Sequence, residues 1–167
     1  KRIKLVGIDS IKNYISLLDL VWVPTFYLNS INLYDNEKKI ISGWNTLLIQ
    51  KRLPSKEWKV GKRVLVLTGG SDTTNLRNQL PDIIDNTLRN DTTIDWIQGP
   101  FSKYPNVPKK PRLVWNIHKS LSQLDELIVK SNYALTVYGI SFFEILQYGI
   151  PTIVFSPYGD KDFNELE

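Results

Sequence analysis

The chain has 167 residues, 42% of them apolar and 23% charged, with a net charge of +4 and neither cysteine nor methionine. That length suits one domain, or one domain plus part of another, and the apolar share sets aside an intrinsically disordered chain. Without cysteine there is no disulfide framework, thiolate metal site or cysteine nucleophile, and no apolar run reaches the ~18 residues of a membrane helix.

The lysines and arginines are dispersed, densest at Lys1–Lys4, Lys51–Arg63 and Lys109–Arg112. No long basic run or nucleic-acid motif accompanies them. The mild positive field therefore suits an anionic phosphate ligand, and no nucleic-acid partner is expected. No signal pattern precedes the first apolar residues, and together with the missing cysteines this gives the expectation of a cytoplasmic setting. Two features point to a piece of a longer protein. There is no methionine, initiator included, and the chain closes on Leu166-Glu167, a pair that cloning often leaves beside a tag. Asp160–Glu167 then reads as a helix just beginning.

In chain order, Ile3–Gly7 and Leu20–Pro24 read as two strands flanking a short helix over Ser10–Leu18. Asn29–Lys39 is polar and turn-rich, Ile41–Gln50 largely apolar, and Lys51–Lys62, with Pro54, reads as a linker. Residues 1–60 are accordingly expected to be the closing portion of a preceding α/β domain. From residue 61 the pattern changes to short β-branched runs alternating with amphipathic stretches. The runs are Arg63–Thr68, Thr93–Gln98, Arg112–Asn116, Tyr133–Val137 and Thr152–Phe155. Helices are expected over Asp72–Leu88, kinked or split at Pro81, around Leu121, Leu124, Leu127 and Ile128, and over Ser141–Tyr148. Alternation of this kind predicts an α/β fold with a Rossmann-like parallel sheet over 61–167. Trp22, Trp96 and Trp115 fall in the strand-like runs and are expected in the core. Lys109-Lys110 reads as an exposed loop and Asp125-Glu126 as a solvated helix face.

Chemistry gathers at three places. In Val64–Asp72 (VLVLTGGSD) a buried strand runs into Gly69, Gly70 and Ser71 ahead of a helix. Two glycines let a phosphate approach the backbone amides, and a helix N-terminus favours an anion. The same residues equally suit a tight turn with Ser71 or Asp72 as N-cap. In Tyr133–Phe155 a strand ends in the turn Tyr138, Gly139, Ile140 and Ser141, a helix carries Glu144, and Gly149-Ile150-Pro151 closes it. Glu144 could accept hydrogen bonds from ribose hydroxyls, or merely complement the helix dipole from the first turn. In Val114–Ser120, Asn116 ends a strand-like run and Ile117 and His118 follow it; His118 is the only histidine. The dispersed acids give no metal-like spacing, so no metal and no cofactor are expected.

The strand–glycine turn–Phe-Glu–helix–Gly-Ile-Pro–strand segment resembles the donor-nucleotide site of the GT-B glycosyltransferase-fold proteins. It is most similar to MurG-type N-acetylglucosaminyltransferases and PseG-type UDP-sugar hydrolases, over roughly residues 62–157. The resemblance implies that Gly139 and Ser141 in the turn with Tyr138 and Ile140, and the facing Gly69, Gly70 and Ser71, meet the diphosphate. It implies that Glu144 holds the ribose and that Asn116, Ile117 and His118 line the base pocket. Tyr138 stands where that family more often has a small residue. Implied in turn is the UDP-sugar-binding half of a glycosyltransferase or nucleotide-sugar hydrolase of polysaccharide or cell-surface glycan biosynthesis. Its partners would be a UDP-sugar and a sugar acceptor or water, with catalytic residues outside the chain. The alternatives are a sugar-nucleotide 2-epimerase and a non-catalytic interaction domain of the same fold.

Overall fold

The computed structural model describes residues 3–8, 12–24, 40–119, 124–157 and 159. The chain divides into two compact units, with the break between Leu48 and Ile49. The Lys51–Lys62 stretch, expected to close the first domain as a linker, thus belongs to the second unit. The stretches 29–39 and 160–167 and the helix marker Leu121 lie outside the described residues.

The first unit contains a three-stranded parallel sheet, β1 (Val6–Ile8), β2 (Leu20–Val23) and β3 (Ile40–Ser42), in the order β1-β2-β3. Lys12–Leu17 forms a 3-10 helix, within the bounds of the short helix expected over Ser10–Leu18. The apolar Ile41–Gln50 stretch divides into β3 and a 3-10 turn at Trp44–Thr46. Buried Thr46 ties that turn to β2: its hydroxyl donates to the Val23 carbonyl at 3.0 Å, and its carbonyl accepts the Trp22 indole N–H at 2.7 Å.

The second unit is a five-stranded parallel sheet with helices on both faces, a Rossmann-like α/β fold. Its elements are β4 (Arg63–Leu67), α1 (Leu76–Thr87), β5 (Thr93–Gln98), β6 (Val114–Lys119), α2 (Asp125–Lys130), β7 (Tyr133–Val137), α3 (Ile140–Leu146) and β8 (Thr152–Phe155). The strand order is β6-β5-β4-β7-β8. Alternation along the central strands sorts the core into two halves, as the period of two requires. Val64, Val66, Ile94 and Trp96 pack with Leu76, Leu80 and Ile84 of α1. Leu65, Leu67 and Ala134 pack with Leu127 and Ile128 of α2 and Ile145 of α3. Trp96 is fully buried, while Trp22 and Trp115 are only partly so. Among the described residues no helix is long and apolar enough to cross a membrane.

Two local outcomes differ from the sequence expectation, each for a visible reason. Pro81 does not split α1, which runs unbroken over Leu76–Thr87. Lacking an N–H, it leaves the Arg77 carbonyl without its intrahelical donor, and the Asn106 amide takes that carbonyl at 2.9 Å. Second, β6 begins at Val114, not Arg112. The amides of Arg112 and Leu113 are already bonded to the Asp85 carboxylate at 3.0–3.2 Å, so pairing with β5 starts at Thr93↔Val114. The strand also runs on through Lys119, so Ile117 and His118, expected beyond the Arg112–Asn116 run, join Asn116 within β6.

The Ile49–Lys62 segment is held against the helices. Trp58 donates its indole N–H to the Asn132 carbonyl at 2.7 Å, and the Asn132 side chain bonds Arg63 N and Lys59 O. Gly61 lies so close to the Asn132 amide that a Cβ there would overlap it. Asp125 is not a solvated acid: the Tyr148 hydroxyl donates to it, and that hydroxyl accepts the Arg52 and Leu53 amides at 3.2 Å.

Candidate functional site

The chain leaves β4 for β5 and β6 on one side and returns to β7 on the other, so the strand order reverses between β4 and β7. In open parallel sheets the crevice outside the carboxyl ends at such a reversal is the place where ligands bind. Here both expected glycine turns meet it. Leu67 of β4 lies opposite Thr136 of β7, so Gly69-Gly70 and Tyr138-Gly139 leave adjacent strands at nearly the same level. Gly69 (φ +83°) and Gly139 (φ +152°) hold backbone conformations that L side chains rarely adopt.

A crevice of about 180 Å³ opens at these ends, lined by Leu67, Gly69, Gly70, Ile97 and Gly99, with Ser141 from α3. Pro100 and Leu124 complete it. The structure thus brings Gly69, Gly70 and Ser141, from two separate motifs, to one cavity. The hydroxyl of Ser141 donates to Glu144, one turn further along α3. Burial, the largest influence, raises the Glu144 carboxyl above its ordinary range, and the negative charge of Asp125 adds to this. The Ser141 bond and the Arg52 charge oppose it. Ser141 lines the crevice, so Glu144 stands one hydrogen bond away from it.

The two helices behind the turns differ. Asp72 (φ 51°) is nearly buried, and its carboxylate accepts the amides of Leu76 at 3.0 Å and Arg77 at 3.1 Å, with the Arg77 guanidinium at 3.7 Å. The first amides of α1 are therefore already met by an internal anion, although the N-cap position itself falls to Asn75 and not to Ser71 or Asp72. Among the described residues no side chain caps α3, where Gly139 precedes Ile140. Tyr138 packs its ring against Phe142 and Phe143, with centroids 6.1 and 5.7 Å away. Asn116 and His118 point to one face of β6, both bonding Asp95, whereas Ile117 packs into the core on the α1 side. The three residues expected together in a base pocket are split between faces.

Gly99 and Pro100 escaped the sequence reading. The signal was present: β5 is a third strand whose carboxyl end runs directly into glycine. Its glycine serves close approach, because a Cβ would lie within 2.5 Å of the Gly70 carbonyl oxygen and against that of Gly69. Phe101 N also bonds Gly70 O at 2.9 Å. Gly99→Ala is therefore expected to displace the Gly69-Gly70 loop and cost about 1–3 kcal/mol of stability. Denaturant unfolding, with the Gly69 and Gly70 amide signals as local reporters, measures both effects. Unmoved signals would show that the two loops are independent.

Among the described residues no three His, Cys, Asp or Glu side chains are grouped as a metal site requires. Comparison with protein-family models, curated proteins and solved structures finds no match for this chain.

Proposed function

We propose that the second unit binds a nucleoside diphosphate sugar, a UDP-sugar in the first instance, at the carboxyl ends of β4 and β7. The parent activity would be that of a glycosyltransferase or a nucleotide-sugar hydrolase in glycan biosynthesis, with a sugar acceptor or water as the second substrate. The observation that carries this reading is the convergence of Gly69, Gly70 and Ser141 on one crevice at the strand-order reversal. The diphosphate would lie against the loop amides, free of side chains at Gly69, Gly70 and Gly139. Glu144, joined to the crevice through Ser141, would take the ribose hydroxyls.

Because Asp72 already meets the α1 amides, the phosphate charge would be offset by the loop amides and the uncapped start of α3. The crevice of about 180 Å³ is below the ~300–1,000 Å³ of complete ligand pockets. This unit accordingly accounts for part of the ligand, and groups beyond it would hold the rest. The arrangement supports leaving-group stabilisation by fixed dipoles without a cation.

Saturation-transfer NMR of the full chain with UDP, a purine nucleotide and inorganic phosphate tests the proposal. Uridine preference is the expected result, and the same UDP affinity is expected with a chelator present. Equal weak signals from all three probes would favour a domain of this fold that has no nucleotide ligand. Affinity that vanishes on chelation and returns with magnesium would refute the dipole account.

A further inference from the structure

The cations that lead into β4 fall into two kinds. Lys62 pairs with Asp91 and Arg63 with Asp95, while Lys51 Nζ donates to the Gln147 carbonyl at 2.9 Å. Lys56 and Lys59 are exposed, and among the described residues their ammonium groups meet no acid and no hydrogen-bond acceptor. Both line a cavity of about 180 Å³, with Lys130 at the end of α2, against a single acid, Glu57. Trp58 and Ile150 give this cavity apolar surface. A second cavity, of about 320 Å³, adjoins it: Lys56, Val129 and Lys130 border both. Leu53, Pro54 and Val129 make the second one apolar, and its one acid, Glu126, lies 4.0 Å from Lys130. The two form a groove between the segment and α2, apolar in its lining and positive at Lys56 and Lys59.

Its place in the fold sets it apart from the crevice. Asn132 and Ile150, which line it, come just before β7 and β8, and Lys59 shortly before β4. The strands of this sheet are all parallel. The groove therefore stands at their amino ends, away from the carboxyl ends where ligands of such sheets bind. The main chain adds a second signal. Hydrogen bonds pin the segment on both sides, the Arg52 and Leu53 amides to Tyr148, and Trp58 Nε1 and the Lys59 carbonyl to Asn132. Lys56, Glu57 and Trp58 form neither helix nor strand, and among the described residues their main-chain N–H and C=O groups have no partner. Unpaired main chain beside an apolar groove is the arrangement that receives an extended peptide as an added strand. A lipid surface takes up protruding apolar side chains, whereas Leu53, Val129 and Ile150 are half-buried or buried in the walls of a hollow.

We propose that this groove is a docking site for an acidic peptide segment of a partner protein, bound in extended form with one apolar residue seated in it. The peptide main chain would pair with residues 56–58. The apolar side chain would enter between Leu53, Pro54 and Val129, and carboxylates two residues to either side would meet Lys56 and Lys59. That spacing follows from the alternation of side chains along a strand. Docking is independent of the nucleotide reading, because the groove and the crevice lie at opposite ends of one sheet.

The peptide acetyl-Glu-Ser-Leu-Ser-Glu-amide carries this pattern and serves as the probe. Titrated into the ¹⁵N-labelled full chain, it should shift the Lys56, Glu57 and Trp58 amides and the Trp58 indole N–H, and leave Gly69 and Gly70 unmoved. The same peptide with lysine in place of glutamate should not bind. Lys56→Glu combined with Lys59→Glu should weaken the acidic peptide roughly tenfold. The melting temperature should hold, since neither ammonium group has a partner in the fold. Added salt, which screens exposed charges, should weaken binding as well. The proposal is overturned if the acidic peptide leaves the segment unmoved, if the lysine peptide binds equally, or if the double variant keeps full affinity. Phosphatidylglycerol vesicles that capture the chain when the peptide does not would overturn it too, and would assign the lysines to a lipid surface.

Discussion

Asp85→Ala is expected to lose about 3–5 kcal/mol of stability, a large part of what holds a domain of this size together. Asp85 is buried on α1, and its carboxylate accepts the amides of Arg112 and Leu113 and the Trp115 indole at 3.0–3.2 Å. Truncation strands all of these donors away from water, and each buried donor left unpaired costs about 1–3 kcal/mol. It also removes the tie that fixes where β6 begins, and with it the register that places His118. Burial alone would raise the Asp85 carboxyl. The bonds from Arg112, Trp115 and Leu113 and the Arg112 charge prevail, so it lies below 3.8. Folding thus favours the ionised form. Its contribution is complete above the unfolded value and is lost as pH falls through the lower folded one. The stability gap between the parent and Asp85→Asn should therefore narrow on acidification below about pH 4. A gap that is small at neutral pH, or unchanged in acid, would remove Asp85 from this role.

Glu144→Ala is expected to weaken UDP binding by about tenfold to a hundredfold, and Glu144→Gln by less, since hydrogen bonds to a charged group contribute roughly 1.5–3 kcal/mol. Stability should move the other way. The folded protein raises the Glu144 carboxyl above 4.5, chiefly by burial, so folding favours the protonated form. That contribution is present below the unfolded value and is lost as pH rises through the folded one. At neutral pH the ionised group burdens the ligand-free protein, and Glu144→Gln should melt at a higher temperature than the parent. The difference should vanish in acid. Higher stability with lower affinity is the mark of a group held for a ligand. An acid placed only to complement the helix dipole predicts the reverse: about 0.3–1 kcal/mol of lost stability and unchanged UDP affinity. Melting curves at neutral and acid pH, beside calorimetric titration with UDP, separate the two.

The local sequence determined the elements whose signals are themselves local. The runs at Thr93–Gln98, Tyr133–Val137 and Thr152–Phe155 are strands over those residues. The glycine turns after β4 and β7 were legible because Gly69 and Gly139 hold φ values that glycine adopts without strain, a local property of the chain. What depends on distant partners was not legible. Pro81 reads as a helix breaker until Asn106, 25 residues on, supplies the missing donor. The start of β6 is set by Asp85, which no pattern in Arg112–Asn116 reveals. Alternation shows that Asn116 and His118 share a face, but not that the face holds Asp95 and Arg63. Above all, the strand order decides the site. Each glycine turn could be read alone, yet only pairing β4 with β7, some 70 residues apart in the chain, places Gly69, Gly70 and Ser141 around one crevice. Periodicity acts over a few residues, whereas strand pairing and buried polar partners are chosen by the packing of the whole unit.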